Sequence, residues 1–388
     1  MKKITACFIV FITFTLFWAV SAYAVENRDI EVHVNGIALS SDLKPVISSD
    51  RVYVPLRTIA ETLNYKVDYQ DATKTAIISN TDTKIKFSLN DMSATVNGLP
   101  VQMPVPAMII NGRIMAPVRF VAESFNCLVN WSDWIGLEEG PRGLVDIYSE
   151  YPVNINGQLS ISSIFYSMTK PVGDPEGHEI TCNYALPQIH GLSGKDYESA
   201  FNKSFSDKLE DVKKEVAQGG SDAIDSAKTD GFAYDYSYEG GYTCGAIQND
   251  IVTITLNGYM YSGGAHGMGI QTCYVIDVNK SKTLSLHDVL QPGQASEDAV
   301  VSVINALANA SPDEYGLFNE ENKVSADEVF RTYEGAEKTG NFYFEGGNIV
   351  IFFQPYEIGP YAAGFITFKI PAEKISGFIR PEYLKILR

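Results

Sequence analysis

Residues 51–70, RVYVPLRTIAETLNYKVDYQ, align without a gap on residues 113–132, RIMAPVRFVAESFNCLVNWS, at a spacing of 62. Arg51, Pro55, Arg57, Ala60, Glu61, Asn64 and Val67 fall on Arg113, Pro117, Arg119, Ala122, Glu123, Asn126 and Val129. Val34-Asn35-Gly36 falls on Val96-Asn97-Gly98 at the same spacing. A turn and a helix shared at one fixed offset mark an internal duplication, so this part of the chain must be built from two similar units. In each unit an Asn-Gly pair favours a tight hairpin. An extended R-x-x-x-P stretch then leads into a short helix, with proline at its first turn. Leu56, Ile59, Ala60 and Leu63 form one apolar stripe, and Val118, Val121, Ala122 and Phe125 the other. Arg57 and Glu61, like Arg119 and Glu123, stand four apart and are expected to pair along the exposed side. The closing strands are VDYQ…TAIIS and LVNWS…GLVDIYS. Helices this short cannot bury their stripes alone, so each is expected to pack on a small sheet.

The chain begins MKKITACFIVFITFTLFWAVSAYA, with a basic start, an apolar run and an A-x-A site at Ala22-Tyr23-Ala24. This is the pattern of a signal peptide over residues 1–24, which places the mature protein outside the cytoplasmic membrane, secreted or held at the envelope. No later stretch is apolar and long enough to span a bilayer, so the mature chain is expected to have no transmembrane segment. Loss of Lys2 and Lys3 leaves 28 basic against 47 acidic side chains, a net charge of −19. Such a surface repels nucleic acid and attracts basic partners. Four cysteines remain: Cys127, Cys182, Cys244 and Cys273. Cys127, in a patterned apolar segment, reads as a buried thiol. At most one bridge is expected among the other three, with Cys244–Cys273 as the choice. Neither C-x-x-C nor Cys/His zinc spacing occurs, and no cofactor or metal is implied.

The repeat unit, with V-N-G, R-x-x-V-P-L-R-x-I-A-E-x-L and the closing strands, resembles the copper amine oxidase N-terminal-like domain, often called a stalk domain. The resemblance covers residues 25–150, with repeats at about 30–80 and 92–149. It implies a spacer or adhesion module. Copper chemistry does not follow, because His33, His178, His190, His266 and His287 form no H-x-H pair.

From residue 151 the pattern changes. A strand is expected over 178–186 and a long amphipathic helix from Lys195, stopped by Gly219-Gly220. Phe232, Tyr234, Tyr236 and Tyr238 alternate as a strand should, and so do Val252, Ile254 and Leu256. The aromatic stripe reads as a packed face in preference to a sugar platform. Further strands flank Asn279-Lys280-Ser281 and the loop before Phe365. Helices are expected over 297–310, 326–333 and near the C-terminus. The fold class is α+β: a duplicated small strand-helix-strand domain, then a larger domain with an antiparallel sheet and segregated helices.

The order helix, aromatic strands, Y-x-G-G-A-H-G at Tyr261–Gly267, then F-x-P-Y-E-I-G-P-Y-A-A-G at Phe353–Gly364 is similar to an extracytoplasmic domain pair of RsiV-like and PdaC-like proteins. This divides the remainder at 151–260 and 261–388. The resemblance implies a ligand-binding region, with His266, Tyr356, Glu357 and Tyr361 as candidate binding residues. It suggests a basic lysozyme-like protein or peptidoglycan as partner. The glycines around His266 read as a fold-defining turn, with the imidazole bonded to a neighbouring carbonyl or carboxylate, in the PYEIGPY loop for example. No G-x-S-x-G elbow, H-E-x-x-H pair or phosphate loop is present, and an enzyme is not expected. The function expected is a secreted, non-catalytic cell-envelope binding protein. The alternatives are an accessory part of a peptidoglycan hydrolase or deacetylase, with acids such as Glu138-Glu139 or Glu320-Glu321, and a purely architectural surface protein.

Overall fold

A computed structural model describes residues 25–26, 29–132, 143–247, 250–319, 321–330 and 341–387. The signal-like segment 1–24, Glu138-Glu139, Glu320 and the end of the helix expected over 326–333 lie outside the described residues. Both V-N-G turns form tight hairpins with positive φ: Asn35 47° and Gly36 74°, Asn97 52° and Gly98 81°. The short helices run Leu56–Thr62 and Val118–Glu123, each with its proline at the N-cap, one residue before the first turn. Arg57 pairs with Glu61 at 3.7 Å and Arg119 with Glu123 at 3.4 Å, all four side chains well exposed.

The two copies interlock. Strand Arg51–Pro55 pairs antiparallel with its equivalent Arg113–Pro117, Val54 opposite Ala116. The closing strands of the second copy, Leu128–Ser132 and Gly143–Tyr148, join the opening hairpin of the first, with Gly143–Tyr148 parallel to Ile30–Val34. The closing strands of the first copy, Lys66–Gln70 and Thr75–Ser79, continue through Lys84–Ser88 to the hairpin of the second. Both helical stripes therefore share one core, and neither copy has a sheet of its own.

The middle of the chain forms a seven-stranded sheet in sequence order, from Val153–Asn154 to Lys282–Leu284. Neighbours are antiparallel except Glu179–His190 and Tyr236–Ile247, which run parallel and are joined by the helix Lys195–Thr229. That helix buries Phe201, Phe205, Leu209, Val212 and Val216 against one face. It runs through Gly219-Gly220 and does not stop there. A Cβ at Gly219 would fall on the Tyr236 ring, and one at Gly220 would come 3.0 Å from Ile180. These glycines let the helix lie close on the sheet and do not end it. The aromatic strand starts at Tyr236, which is buried under the helix, while Phe232 precedes it and is 58% exposed.

A division at residues 260/261 falls inside strand Ile251–Ser262, which pairs with Met268–Asp277 along most of its length. The chain leaves this sheet only after Leu284. It then builds a third core from helix Gln294–Ala310 and a sheet of Phe342–Glu345, Asn348–Phe353 and Ile366–Pro371. This core packs on the sheet face away from the long helix: Ile251 and Val275 belong to it, while Val252 and Ile276 belong to the helix side.

Among the described residues, Cys127, Cys182, Cys244 and Cys273 are all free thiols. Cys244 stands opposite Ile254, and Cys273 opposite Thr255 on the other edge of the same strand. One strand therefore separates them, about 9.5 Å at ordinary spacing and beyond disulfide reach.

Candidate functional site

The Y-x-G-G-A-H-G turn and the Q-P-Y-E-I-G-P-Y loop, about ninety residues apart, meet in space. The His266 ring stacks on Tyr361, centroids 3.8 Å apart and planes 14° from parallel. Its Nδ1 lies 3.0 Å from the Gly267 carbonyl oxygen and its Nε2 3.4 Å from the Tyr356 hydroxyl. The Tyr361 hydroxyl donates to the same Gly267 carbonyl at 2.9 Å. Glu357 accepts from the Gln354 N–H at 2.8 Å and so closes its own loop. Gly267 has no room for a side chain, because a Cβ there would strike the Met260 carbonyl and the Tyr259 ring. Of the four residues singled out in the sequence, His266, Tyr356 and Tyr361 form an aromatic clasp between two loops, with Tyr356 half exposed, while Glu357 braces its own loop.

Below this clasp opens a cleft of about 980 Å³ with a floor and two walls. Its floor is the part of the seven-stranded sheet that the third core leaves bare: Asn183, Glu239, Thr243, Thr255, Asn257 and Gln271 line it. One wall is the sheet of the duplicated domain, which contributes Trp131, Glu31, His33 and Asp146. Tyr343, Glu345 and Phe365 of the third core form the other. Tyr259 stands at the end of the floor beneath the clasp. Its hydroxyl accepts from the Gly267 N–H at 3.1 Å, and 42% of the residue is exposed. His266, Tyr356, Glu357 and Tyr361 lie outside the cleft lining. The sequence reading missed the floor, although its signal was present. Thr253, Thr255 and Asn257 alternate with Ile254 and Leu256, a polar face opposite an apolar one.

The first wall is held in place by one turn. Asn35 is fully buried. Its Oδ1 accepts from the Ser149 N–H at 2.6 Å and the Ser163 hydroxyl at 2.8 Å, and its Nδ2 donates to the Tyr151 carbonyl at 2.9 Å. The Gly36 carbonyl accepts from the Cys244 N–H at 2.7 Å. A Cβ on Gly36 would sit 2.8 Å from the Tyr242 ring and 2.9 Å from that N–H. The hairpin tip of the duplicated domain is therefore inserted against the central sheet. Tyr148 completes the joint, its hydroxyl accepting from the Tyr242 N–H at 3.0 Å.

In the same wall His33 is flanked by two carboxylates, Glu31 at 3.0 Å from Nε2 and Asp146 at 3.3 Å from Nδ1. Burial disfavours the charged ring, but the two acids outweigh it and raise the His33 pKa. Carboxylates dominate the cleft, with Arg119 as the cation in its lining. Burial pushes the Cys182 and Cys244 thiols up to about 12 and Cys273 to about 11, away from nucleophile chemistry. Among the described residues, one cluster has metal-ligand composition: Asp174, Glu176 and His178, in the loop between two strands. Both Asp174 oxygens already accept from the chain, from the Glu176 N–H at 2.9 Å and the His178 N–H at 3.1 Å. The cluster closes a hairpin.

With this geometry in view, comparison with known families assigns the parts. Residues 33–134 match the copper amine oxidase N-terminal domain. Residues 176–269 match the model for deacetylase PdaC, and residues 287–373 a protein family of unknown function, DUF3298. Three domain families meet in this chain. The match to the copper amine oxidase N-terminal domain falls on the duplicated domain, and the matches to the PdaC and DUF3298 models follow in that order. Among solved structures, a DUF3298 family member from Bacteroides fragilis is 18% identical, covering 61% of this chain and 99% of its own, with a TM-score of 0.46. A DUF3298 family protein from Pseudomonas aeruginosa is 20% identical, covering 57% and 95%, with a TM-score of 0.37. No curated protein matches. Among the described residues, no helix is long and apolar enough to cross a membrane.

Proposed function

We propose that the protein is a non-catalytic binding protein of the cell envelope, carried outside the cytoplasmic membrane by its N-terminal segment, with peptidoglycan or a basic lysozyme-like protein as ligand. The observation that carries this reading is the cleft, with its floor and two walls. All three cores contribute to it, and it offers fixed polar groups and aromatic planes. The residues that would be first choices for chemistry are committed elsewhere. His266 is stacked and bonded in the clasp, and the thiols are pushed up by burial. The net negative charge favours fast, salt-sensitive association with cationic partners.

The test uses the chain from residue 25 onward. It is expected to sediment with purified peptidoglycan, or to bind a basic lysozyme in titration calorimetry with an affinity that falls as salt rises. Release of acetate or reducing ends from peptidoglycan, abolished by Glu239→Gln, would replace this reading with a deacetylase or hydrolase. Wall retention by residues 25–150 alone, with no ligand for the rest, would leave an architectural protein.

A further inference from the structure

We infer that the cleft holds a stretch of oligosaccharide that carries no acidic groups, laid across strands Tyr236–Ile247 and Ile251–Ser262. This rests on the binding-protein reading and names the ligand of its cleft.

The backbone of the floor decides first. Strands Tyr236–Ile247 and Ile251–Ser262 pair with each other over their full length, and the second pairs onward with Met268–Asp277. The N–H and C=O groups of Ile251–Ser262 are taken up by the ladders on both its sides, while the outer edge of Tyr236–Ile247 pairs with Glu179–His190 over residues 236–240 and gives its Tyr242 and Cys244 N–H groups to Tyr148 and Gly36 of the duplicated domain. An extended peptide that binds by adding a strand needs an open edge, and this floor lies inside the sheet. Recognition must therefore come from side chains standing on it. Those side chains are mostly neutral amides and hydroxyls. Thr243 and Asn257 have no side-chain hydrogen bond among the described residues, and Asn257 is exposed. Planar amides and hydroxyls of this kind match the paired donor and acceptor character of sugar hydroxyls.

The walls supply the second half of a sugar site. Trp131 faces the cleft from one side and Phe365 from the other, with Tyr259 at the end of the floor. These rings offer flat apolar surface to the C–H faces of pyranose rings. The Tyr259 ring is fixed through its hydroxyl to the Gly267 N–H, so the clasp of His266 and Tyr361 sets the end of the binding floor.

Charge selects among glycans. Glu239 lines the cleft with Glu31 and Asp146, which flank His33, and with Glu345, which is paired with Lys369, against the guanidinium of Arg119, which is itself paired with Glu123. A polyanionic chain of uronic acids or phosphates is repelled there. Neutral sugars are accepted, and sugars with free amines gain attraction at low salt.

The experiment titrates the chain from residue 25 onward with three probes: the hexamer of N-acetylglucosamine, the hexamer of glucosamine, and an oligogalacturonate. Both aminosugar hexamers are expected to bind, the free-amine form more tightly at low salt, and the galacturonate not at all. Trp131→Ala and Asn257→Ala should each weaken the hexamers by about tenfold or more, while Glu176→Gln, remote from the cleft, leaves them unchanged. Should Trp131→Ala fail to fold by circular dichroism, Asn257→Ala decides, since that exposed side chain supports nothing else. Absence of heat with both hexamers would overturn the inference, as would equal affinity in Asn257→Ala or preference for galacturonate. Oligolysine bound with the same dependence on Asn257 would overturn it in favour of a polypeptide. If the hexamers fail while peptidoglycan or lysozyme is still bound, only the sugar assignment falls and the binding-protein reading stands.

Discussion

At the scale of one residue, His33 shows how a wall of the cleft responds to pH. The ring is buried between Glu31 and Asp146, and its pKa is raised in the folded chain. A histidine whose folded pKa exceeds its unfolded value of about 6.5 adds stability below that value. The contribution is lost as pH rises through the folded pKa. His33→Gln should therefore lower Tm most at pH 5, by roughly 2–4 °C. The gap from the parent should shrink toward pH 8 in scanning calorimetry. His178, raised through its bond to Asp174, is common to both proteins and cancels in the comparison. A gap that stays constant with pH would show that the two carboxylates do not hold the charged ring.

At the scale of an element, the helix Lys195–Thr229 reverses an ordinary rule. Glycine inside a helix costs about 1 kcal/mol relative to alanine, so Gly→Ala normally stabilises. Gly219 lies where the helix meets the Tyr236 ring, and an added methyl has no space. Gly219→Ala is expected to destabilise by about 1–3 kcal/mol in urea unfolding, since overpacking exceeds the gain in propensity. Tyr236→Leu should relieve the clash and restore part of the loss. The double glycine reads as a stop signal in sequence because composition cannot distinguish a helix end from a close approach. Only the partner surface separates the two.

At the scale of the molecule, two identical sequence signals have different fates. Asn35 and Asn97 both sit in V-N-G turns at equivalent positions of the repeat. Asn97 is exposed, and its Oδ1 accepts from the Lys84 N–H within its own sheet. Asn35 is fully buried and ties the duplicated domain to the central sheet through Ser149, Tyr151 and Ser163. Asn35→Ala strands several buried polar groups and should cost about 2–4 kcal/mol, whereas Asn97→Ala should cost about 1 kcal/mol or less. Because Asn35 joins two cores, its loss should also split the calorimetric unfolding of the chain, with the duplicated domain melting separately. A single unchanged transition in Asn35→Ala would show that the remaining contacts, Tyr148 with Tyr242 among them, carry the coupling.

What the sequence settles by itself is local and periodic. The 62-residue repeat, the Asn-Gly hairpins, the i,i+4 Arg–Glu pairs, the apolar stripes and the alternation of strands all rest on interactions between near neighbours, which a fixed spacing specifies. The meeting of the His266 turn with the PYEIGPY loop was readable only as an order of motifs, because their contact spans about ninety residues. The tertiary structure alone decided three things. The repeats exchange closing strands, one of the two equivalent turns is inserted against the central sheet, and the polar face of that sheet is left open between two walls. Each depends on which surfaces approach each other at long range. Burial and close packing set that choice, and a residue's chemical type does not carry it until its neighbours are in place.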